Sequence, residues 1–448
     1  MARLFGTDGV RGVANGPSLS AELALGLGRA AARFARERGA GARPRVLIGR
    51  DTRRSGFMLE DALAAGVASA GGTAVRAGVI PTPGVATLVR LGEADLGAVV
   101  SASHNPFPDN GIKLFGSDGF KLADADEDRV VELIDEGELP TGAALGEIVS
   151  LPDAGARYVD WVVGAVGGSL HPRRILVDCA NGAASAVATR LFERLGIDAD
   201  LSFASPDGLN INDGCGSTHL NVLSAAVAAG DYELGLAFDG DADRVLAVTG
   251  EGELVDGDQI VAILARDLKA RGTLPGDLVV VTSMSNLGFH RALAQLDLKT
   301  AVTEVGDRYV LEEMRASGSE LGGEQSGHVI ALGYQTTGDG LVTAALLLAA
   351  LDRADQTLAQ AATLVTRFPQ RLVNVRARRE DLPDARVVWE LVERENALLE
   401  RSGAGRIVLR ASGTEPLVRV MVEHEDSVEL ARLCDSIVSL VERELGVV

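Results

Sequence analysis

Short apolar runs alternate with longer segments in which apolar residues recur every three or four positions, and this rhythm occurs three times before the chain changes character. Each unit opens on an apolar run that ends in a polar or glycine-containing turn: Arg45-Val-Leu-Ile-Gly-Arg-Asp-Thr, Arg174-Ile-Leu-Val-Asp-Cys-Ala-Asn-Gly and Leu278-Val-Val-Val-Thr-Ser-Met-Ser-Asn. A helix-like segment follows, as with Leu287, Leu293 and Leu296, and then a second short strand around Thr73–Ala77, Asp198–Phe203 or Thr300–Glu304. The third element carries an acid, Leu and Gly each time: Asp95-Leu96-Gly97, Glu233-Leu234-Gly235 and Glu320-Leu321-Gly322. Each of these elements runs into a polar loop, Ser-Ala-Ser-His-Asn-Pro (101–106), Asp-Gly-Asp-Ala-Asp-Arg (239–244) or Gly-Glu-Gln-Ser-Gly-His (323–328).

Strands alternating with helices predict α/β units with mixed, largely parallel sheets. Ligands of such sheets sit outside the carboxyl ends of the strands, so three similar units facing one another bring the three loops into a central cleft. Gly137–Gly155, rich in Gly and Pro, reads as a linker or excursion, and further changes fall near Val255–Gly257 and at Phe368-Pro369. The last segment reads as a smaller α+β domain: a strand over Arg371–Arg376, a helix over Arg386–Leu399, two strands around Arg410–Pro416 and a final helix. That helix places Leu430, Leu433, Ile437, Leu440 and Val441 on one face. The expected domains are 1–152, 153–255, 256–368 and 369–448.

A chain of 448 residues at roughly 100–200 residues per domain agrees with several domains. Its 46% apolar and 24% charged residues exclude disorder and collagen-like repetition. No segment approaches the ~20 apolar residues of a membrane span. The opening Met-Ala-Arg-Leu-Phe-Gly lacks the apolar stretch of a secretory signal, which points to the cytoplasm. A net charge of −20 repels nucleic acid and anionic membranes, and also phosphorylated substrates, so an enzyme acting on these must gather its cations locally. Cys179, Cys215 and Cys434 are widely separated and read as buried apolar residues rather than a disulfide or zinc framework.

Asp239, Asp241 and Asp243 alternate behind the apolar run Leu234–Phe238, so a continuing strand turns all three carboxylates to one side. Three close like charges need a cation or a raised pKa, and hard oxygen donors without His or Cys favour Mg²⁺ or Ca²⁺. An EF-hand is excluded by Arg244 at the sixth position and Gly250 at the twelfth. Ser103 sits where a strand enters a loop stiffened by Pro106; His104 is adjacent, but neighbouring side chains on extended backbone point apart, which argues against a simple Ser–His dyad. A serine that already carries phosphate needs no such activation and supplies a further metal ligand. Arg410, Ser412, Gly413, Thr414 and Arg419 combine guanidinium forks, hydroxyls and a flexible Gly, an inventory suited to a phosphate clamp. Glu324 and Ser326, between Gly323 and Gly327, suit sugar hydroxyls. Arg11, Arg50 and Arg53 beside Gly-rich turns, together with Lys113 and Arg308, are candidate cations for phosphate.

Taken together, FGTDGVRG (5–12), SASHNPFPDNGIK (101–113), DGDADR (239–244), GEQSGH (323–328) and RASGTEPLVRV (410–420) resemble the α-D-phosphohexomutase superfamily over essentially the whole chain, and within it the branch acting on glucosamine phosphates. The resemblance implies four domains around a cleft, three of them alike. It implies that Ser103 is the modified, phosphate-carrying serine and that Asp239, Asp241 and Asp243 hold Mg²⁺ with an oxygen of that phosphoserine. Glu324 and Ser326 match the sugar-hydroxyl loop, and Arg410, Ser412, Gly413, Thr414 and Arg419 the clamp on the non-reacting phosphate. His104, Lys113 and Arg244 are the cations expected beside the transferring group; which of them exchanges protons with the sugar stays open, Lys113 being one candidate. The implied reaction interconverts glucosamine 6-phosphate and glucosamine 1-phosphate, with glucose 1,6-bisphosphate or glucosamine 1,6-bisphosphate as activator or intermediate. Its partners are small sugar phosphates, not nucleic acid or membrane, and a homodimer is common in the family.

Overall fold

The computed structural model describes residues 3–6, 8–411 and 417–446, and these build four sheets. The first comprises β1 (Val10–Val13), β2 (Arg45–Arg50), β3 (Thr73–Val79), β4 (Leu96–Val100), β5 (Asp109–Phe115) and β6 (Glu147–Ser150), in the order β1-β5-β4-β2-β3-β6. The second comprises β7 (Arg174–Asp178), β8 (Asp198–Ser202), β9 (Leu234–Phe238), β10 (Val245–Thr249) and β11 (Leu254–Val255), in the order β11-β10-β9-β7-β8. The third, β13-β12-β14-β15, is made of β12 (Leu278–Thr282), β13 (Lys299–Thr303), β14 (Leu321–Gly323) and β15 (Val329–Ala331). The fourth, β16-β18-β17, is made of β16 (Gln370–Arg376), β17 (Gly405–Ala411) and β18 (Leu417–His424).

The first three sheets share one plan. A central strand pairs in parallel with two neighbours: β2 with β3 and β4, β7 with β8 and β9, β12 with β13 and β14. The last of each trio then turns back into an antiparallel partner, β4 into β5, β9 into β10 and β14 into β15. The three polar loops are these turn-backs, so each lies at the carboxyl end of a parallel strand.

The recurring acid-Leu-Gly has a packing cause. A Cβ on Gly97 would lie 2.9 Å from Val85, on Gly235 2.8 Å from Val227, and on Gly322 2.5 Å from the Met314 sulfur. Each glycine therefore lies under a helix too close for any side chain: Thr82–Arg90, Asn221–Ala229 and Asp307–Ser317 respectively. The Leu of each triplet is buried in the core.

Two features differ from the sequence expectation. The Gly/Pro-rich stretch 137–155 contains β6, which adds in parallel to β3 at the sheet edge; with Ile148 and Val149 as its only apolar residues, it is short and carries little pattern. The strand before the triad stops at Phe238, and 239–244 is a turn with Ala242 at φ 57° rather than a continuing strand.

One apolar cluster, from Leu47 to Val365, runs through all three α/β units, and a second covers the other face of the first sheet. The C-terminal unit has a core of its own. Its antiparallel sheet packs against the helices Arg386–Ser402 and Ser427–Leu445, the latter burying Leu430, Leu433, Ile437, Leu440 and Val441 as its spacing predicts. This unit is pinned to the third one through Glu423. That fully buried carboxylate accepts from Asn286 Nδ2 (3.1 Å), Leu287 N (3.1 Å) and Arg406 Nε (2.6 Å). Among the described residues, no helix is long and apolar enough to cross a membrane.

Candidate active site

The β4–β5 and β9–β10 loops meet. Ser103, 1% exposed and at φ 51°, donates from Oγ to Asp239 Oδ2 at 2.6 Å. Because Ser103 is left-handed rather than extended, its hydroxyl also comes within 3.3 Å of His104 Nδ1, a contact that extended backbone would not allow. Contact between the loops leaves no room for a side chain at Gly240, whose Cβ would lie 2.5 Å from the Ser103 carbonyl oxygen.

The turn gathers Asp239, Asp241 and Asp243 so that one oxygen of each lies within 4.8 Å of the others, all three residues being buried. The first unit and the loop's own backbone hold them there. Thr82 Oγ1 donates to Asp241 Oδ2 at 2.6 Å, and the Arg244 N–H donates to Asp239 Oδ1 at 3.2 Å. Asp241 Oδ1 and Asp243 Oδ1 are buried without a hydrogen-bond partner. Burial, then Asp243 and Asp241, push the Asp239 carboxyl well above the usual range. Burial acts on Asp243 in the same sense, but His328, Lys113 and Arg244 hold it well below. Orphaned, mutually repelling carboxylate oxygens with no soft donor among them suit a hard divalent cation.

Cations surround this centre. Lys113 Nζ lies 3.2 Å from Asp241, 3.2 Å from Asp8 and 3.6 Å from Asp243; these carboxylates raise its pKa although burial opposes them. Arg244 lies 3.8 Å from Asp243, and Arg11 is held by Asp8. His104 departs from the expectation of a cation here: burial, with Arg244 and Arg11 nearby, pushes it down to about 4, so its imidazole is neutral at pH 7.

The β14–β15 loop docks beside the triad: Arg244 bridges to His328, and Val245 N donates to the Gly327 carbonyl at 3.1 Å. This leaves Ser326 exposed and Glu324 half-buried, with Glu324 Oε1 accepting from Gly306 N at 3.1 Å. Arg410 and Arg419 face each other as cross-strand partners in β17 and β18. Burial and the neighbouring Arg419 lower the Arg410 pKa, while Glu324 acts in the opposite sense, which relates the fourth unit to the sugar-loop candidate. Two guanidiniums directly opposite repel unless an anion lies between them. Ser412, Gly413 and Thr414 lie outside the described residues.

The remaining candidate cations have partners of their own, although Arg308 lines one cavity with Lys113, Lys121 and Asp307. Arg50 donates to Glu60 at 2.8 Å and stacks on Phe57, and Arg308 pairs with Asp124 and Glu312. Arg53 is spent on the serine loop itself, donating to the carbonyls of Ser103, Asn105, Pro106 and Asp109. Sequence reasoning singled out neither Asp8, shared by Lys113, Lys121 and Arg11, nor Asp307, which pairs with Lys121 and faces His328. Asp8 lies within FGTDGVRG and His328 within GEQSGH, which is the signal that points to them; Thr82 and Lys121 carry none.

Known proteins share this layout. Residues 2–141, 156–252 and 256–368 match phosphoglucomutase/phosphomannomutase alpha/beta/alpha domains I, II and III, and residues 372–440 match the C-terminal domain of the same family. The chain is 51% identical to a phosphoglucosamine mutase of Symbiobacterium thermophilum over 99% of this chain and 100% of that one. It is 52% identical to a phosphoglucosamine mutase of Saccharopolyspora erythraea over 98% and 99% of the two chains. A crystal structure of a phosphoglucomutase/phosphomannomutase family protein from Burkholderia thailandensis superposes with a TM-score of 0.81 at 26% identity, covering 99% of this chain and 98% of that one. With four domain matches in order and relatives about half identical from end to end, the chain belongs to the phosphoglucomutase/phosphomannomutase family.

Proposed function

We propose that the chain is a phosphoglucosamine mutase, an isomerase that interconverts glucosamine 6-phosphate and glucosamine 1-phosphate through a phosphoserine at Ser103 and a 1,6-bisphosphate, on the cytoplasmic route to UDP-N-acetylglucosamine and the cell wall. Relatives of that name, about half identical over the full length, support the choice of sugar. The observation that supports the chemistry is the 2.6 Å contact from Ser103 Oγ to Asp239: a phosphate on that serine would lie against the acidic triad. On this reading the domains divide as 1–152, 153–255, 256–368 and 369–448.

Asp239, Asp241 and Asp243 are the residues that would hold Mg²⁺, together with a phosphoserine oxygen; their orphaned oxygens and all-oxygen chemistry support that assignment. When bound, the ion offsets negative charge on the transferring phosphoryl group. The O1 hydroxyl of glucosamine 6-phosphate attacks phosphorus; the new O–P bond forms as the Ser103 Oγ–P bond breaks, and the hydroxyl proton ends on Ser103 Oγ. His104 and Lys113 are the groups placed to carry that proton, and Arg244 faces the same charge. The bisphosphate turns over, and Ser103 recovers a phosphoryl group from O6. A free bisphosphate, of glucose or glucosamine, primes an enzyme that has lost its phosphate.

Turning over requires a clamp that accepts either end of the sugar. Arg410 and Arg419, with Ser412, Gly413 and Thr414, fill that role, Arg11 adds a cation, and Glu324 and Ser326 hold ring hydroxyls. The test is kcat/KM on the 6-phosphates of glucosamine, glucose and mannose, each primed with glucose 1,6-bisphosphate. Glucosamine 6-phosphate is expected to be highest; glucose or mannose winning refutes the assignment.

A further inference from the structure

Arg53 is fully buried, yet none of its polar atoms faces a substrate space. A guanidinium has five N–H donors. Here Nε donates to Asp51 Oδ2 (2.9 Å), Nη1 to Pro106 O (2.6 Å) and Asp109 O (3.1 Å), and Nη2 to Ser103 O (2.8 Å) and Asn105 O (2.8 Å). All five are matched, so no N–H remains for a phosphate. Asp51, also fully buried, accepts in addition from the Arg53 N–H (2.9 Å) and from Ser101 Oγ (2.6 Å), and Ser101 Oγ in turn accepts from Ser103 N at 3.0 Å.

The chain Ser101–Asp51–Arg53 therefore grips Ser103 at both its N–H and its carbonyl. Fixing both backbone groups of a residue fixes the direction of its Cα–Cβ bond. Ser103 is left-handed, a conformation that an L-residue keeps only where its surroundings over-determine it. Asn212 Nδ2 reinforces the same two carbonyls, at 2.9 Å to Ser103 and 3.0 Å to Asn105. No other side chain can replace the fork: a lysine ammonium offers three donors from one point and cannot span four carbonyls along 103–109.

We infer that Arg53, backed by Asp51 and Ser101, is a positioning residue for phosphoryl exchange: it gathers the carbonyls of the 103–109 loop and so holds Ser103 in the conformation that aims its hydroxyl at Asp239. The inference rests on the phosphoserine reading of Ser103. It assigns Arg53 an effect on the transfer step and none on substrate affinity.

The experiment compares the wild-type chain, Arg53→Lys, Ser101→Ala and Ser103→Ala. Each is read for phosphate uptake on Ser103 from glucose 1,6-bisphosphate by intact mass, for kcat and KM, and for thermal midpoint. Arg53→Lys is expected to lose about 100-fold in both uptake rate and kcat, as for an ångström-scale misplacement of a reacting group, with KM within about 3-fold. Ser101→Ala is expected to lose about 10-fold in the same two quantities, and its substitution is small enough to carry the test if Arg53→Lys does not fold. Uptake as fast as wild type in a folded Arg53→Lys, or a loss confined to KM, overturns the inference while leaving the phosphoserine reading intact; so does an unchanged uptake rate in Ser101→Ala. A phosphatase-treated wild-type chain that takes no phosphate, or a Ser103→Ala chain that takes as much as wild type, brings down the phosphoserine reading and this inference with it.

Discussion

Ser103 Oγ and Asp239 Oδ2 lie 2.6 Å apart although they stand 136 positions apart in the sequence. The contact joins two units, so the reacting serine and the acidic triad exist as one centre only when the first two sheets are docked. Ser103→Ala keeps the loop and removes the hydroxyl. Turnover is expected to vanish, while stability falls by about 1 kcal/mol, the net value of one lost hydrogen bond. The checks are a coupled mutase assay, the thermal midpoint, and intact mass before and after phosphatase with the modified peptide mapped. A near-native rate in the variant would end the assignment of Ser103.

The triad makes metal binding depend on pH. Burial and the other two carboxylates raise the Asp239 pKa in the metal-free protein. A raised folded pKa means that this group contributes stability below the ordinary carboxylate value and loses it as pH rises through the folded one. Metal-free protein is therefore expected to lose stability on this account as pH rises, and Mg²⁺ to restore it by displacing the bound proton. Mg²⁺ titrations by calorimetry in buffers of different ionisation heat measure the proton released. Binding with no proton release at any pH above the ordinary carboxylate value would contradict the repulsion read here.

The acidic triad and the serine loop were legible because their chemistry sits in short loops behind strong apolar runs, and the three similar units because the acid-Leu-Gly rhythm has a packing cause. What was hidden depends on partners remote in sequence. Nothing about Arg53 distinguishes a guanidinium used by loop carbonyls from one awaiting phosphate; both stand beside a Gly-rich turn. The strand at Glu147–Ser150 was unreadable because its support is the edge of β3 rather than any pattern of its own. The gathering of the three aspartates was anticipated, but through a continuing strand, whereas Ala242 at φ 57° achieves it by a turn.

A second pH effect belongs to the scaffold. Asp258, 2% exposed near the start of the helix Gly257–Ala270, has its carboxyl pushed up to about 7 by burial and by Asp256. It accepts from the Asn286 N–H at 2.7 Å. Its contribution to stability is complete below the ordinary carboxylate value and lost as pH rises through about 7. A shift of this size corresponds to on the order of 4 kcal/mol. Asp258→Asn keeps an oxygen for Asn286 and carries no charge, so its thermal midpoint relative to wild type is expected to climb between pH 5.5 and 8.5. A difference that stays flat or falls over that range would show that the buried carboxylate is not strained by ionisation.

Gly182→Ala tests whether the metal loop needs the backbone beneath it. Gly182 has φ −103°, which any residue adopts, so the substitution is purely one of space. A Cβ there would stand 2.3 Å from the carbonyl oxygen of Gly240, the residue between Asp239 and Asp241. Backbone cannot swing aside as a flexible side chain can, so the turn itself must move. Overpacking of this kind costs about 1–3 kcal/mol of stability. The larger expected effect is on function: Mg²⁺ affinity weakened about 10-fold, and kcat at saturating Mg²⁺ lowered about 100-fold, because the triad no longer meets Ser103 at hydrogen-bonding distance. Mg²⁺ titration and steady-state rates separate the two losses. A variant with lowered thermal midpoint but wild-type affinity and kcat would mean that the turn relaxes without disturbing its carboxylates, and that the close approach of Gly182 to Gly240 serves packing alone.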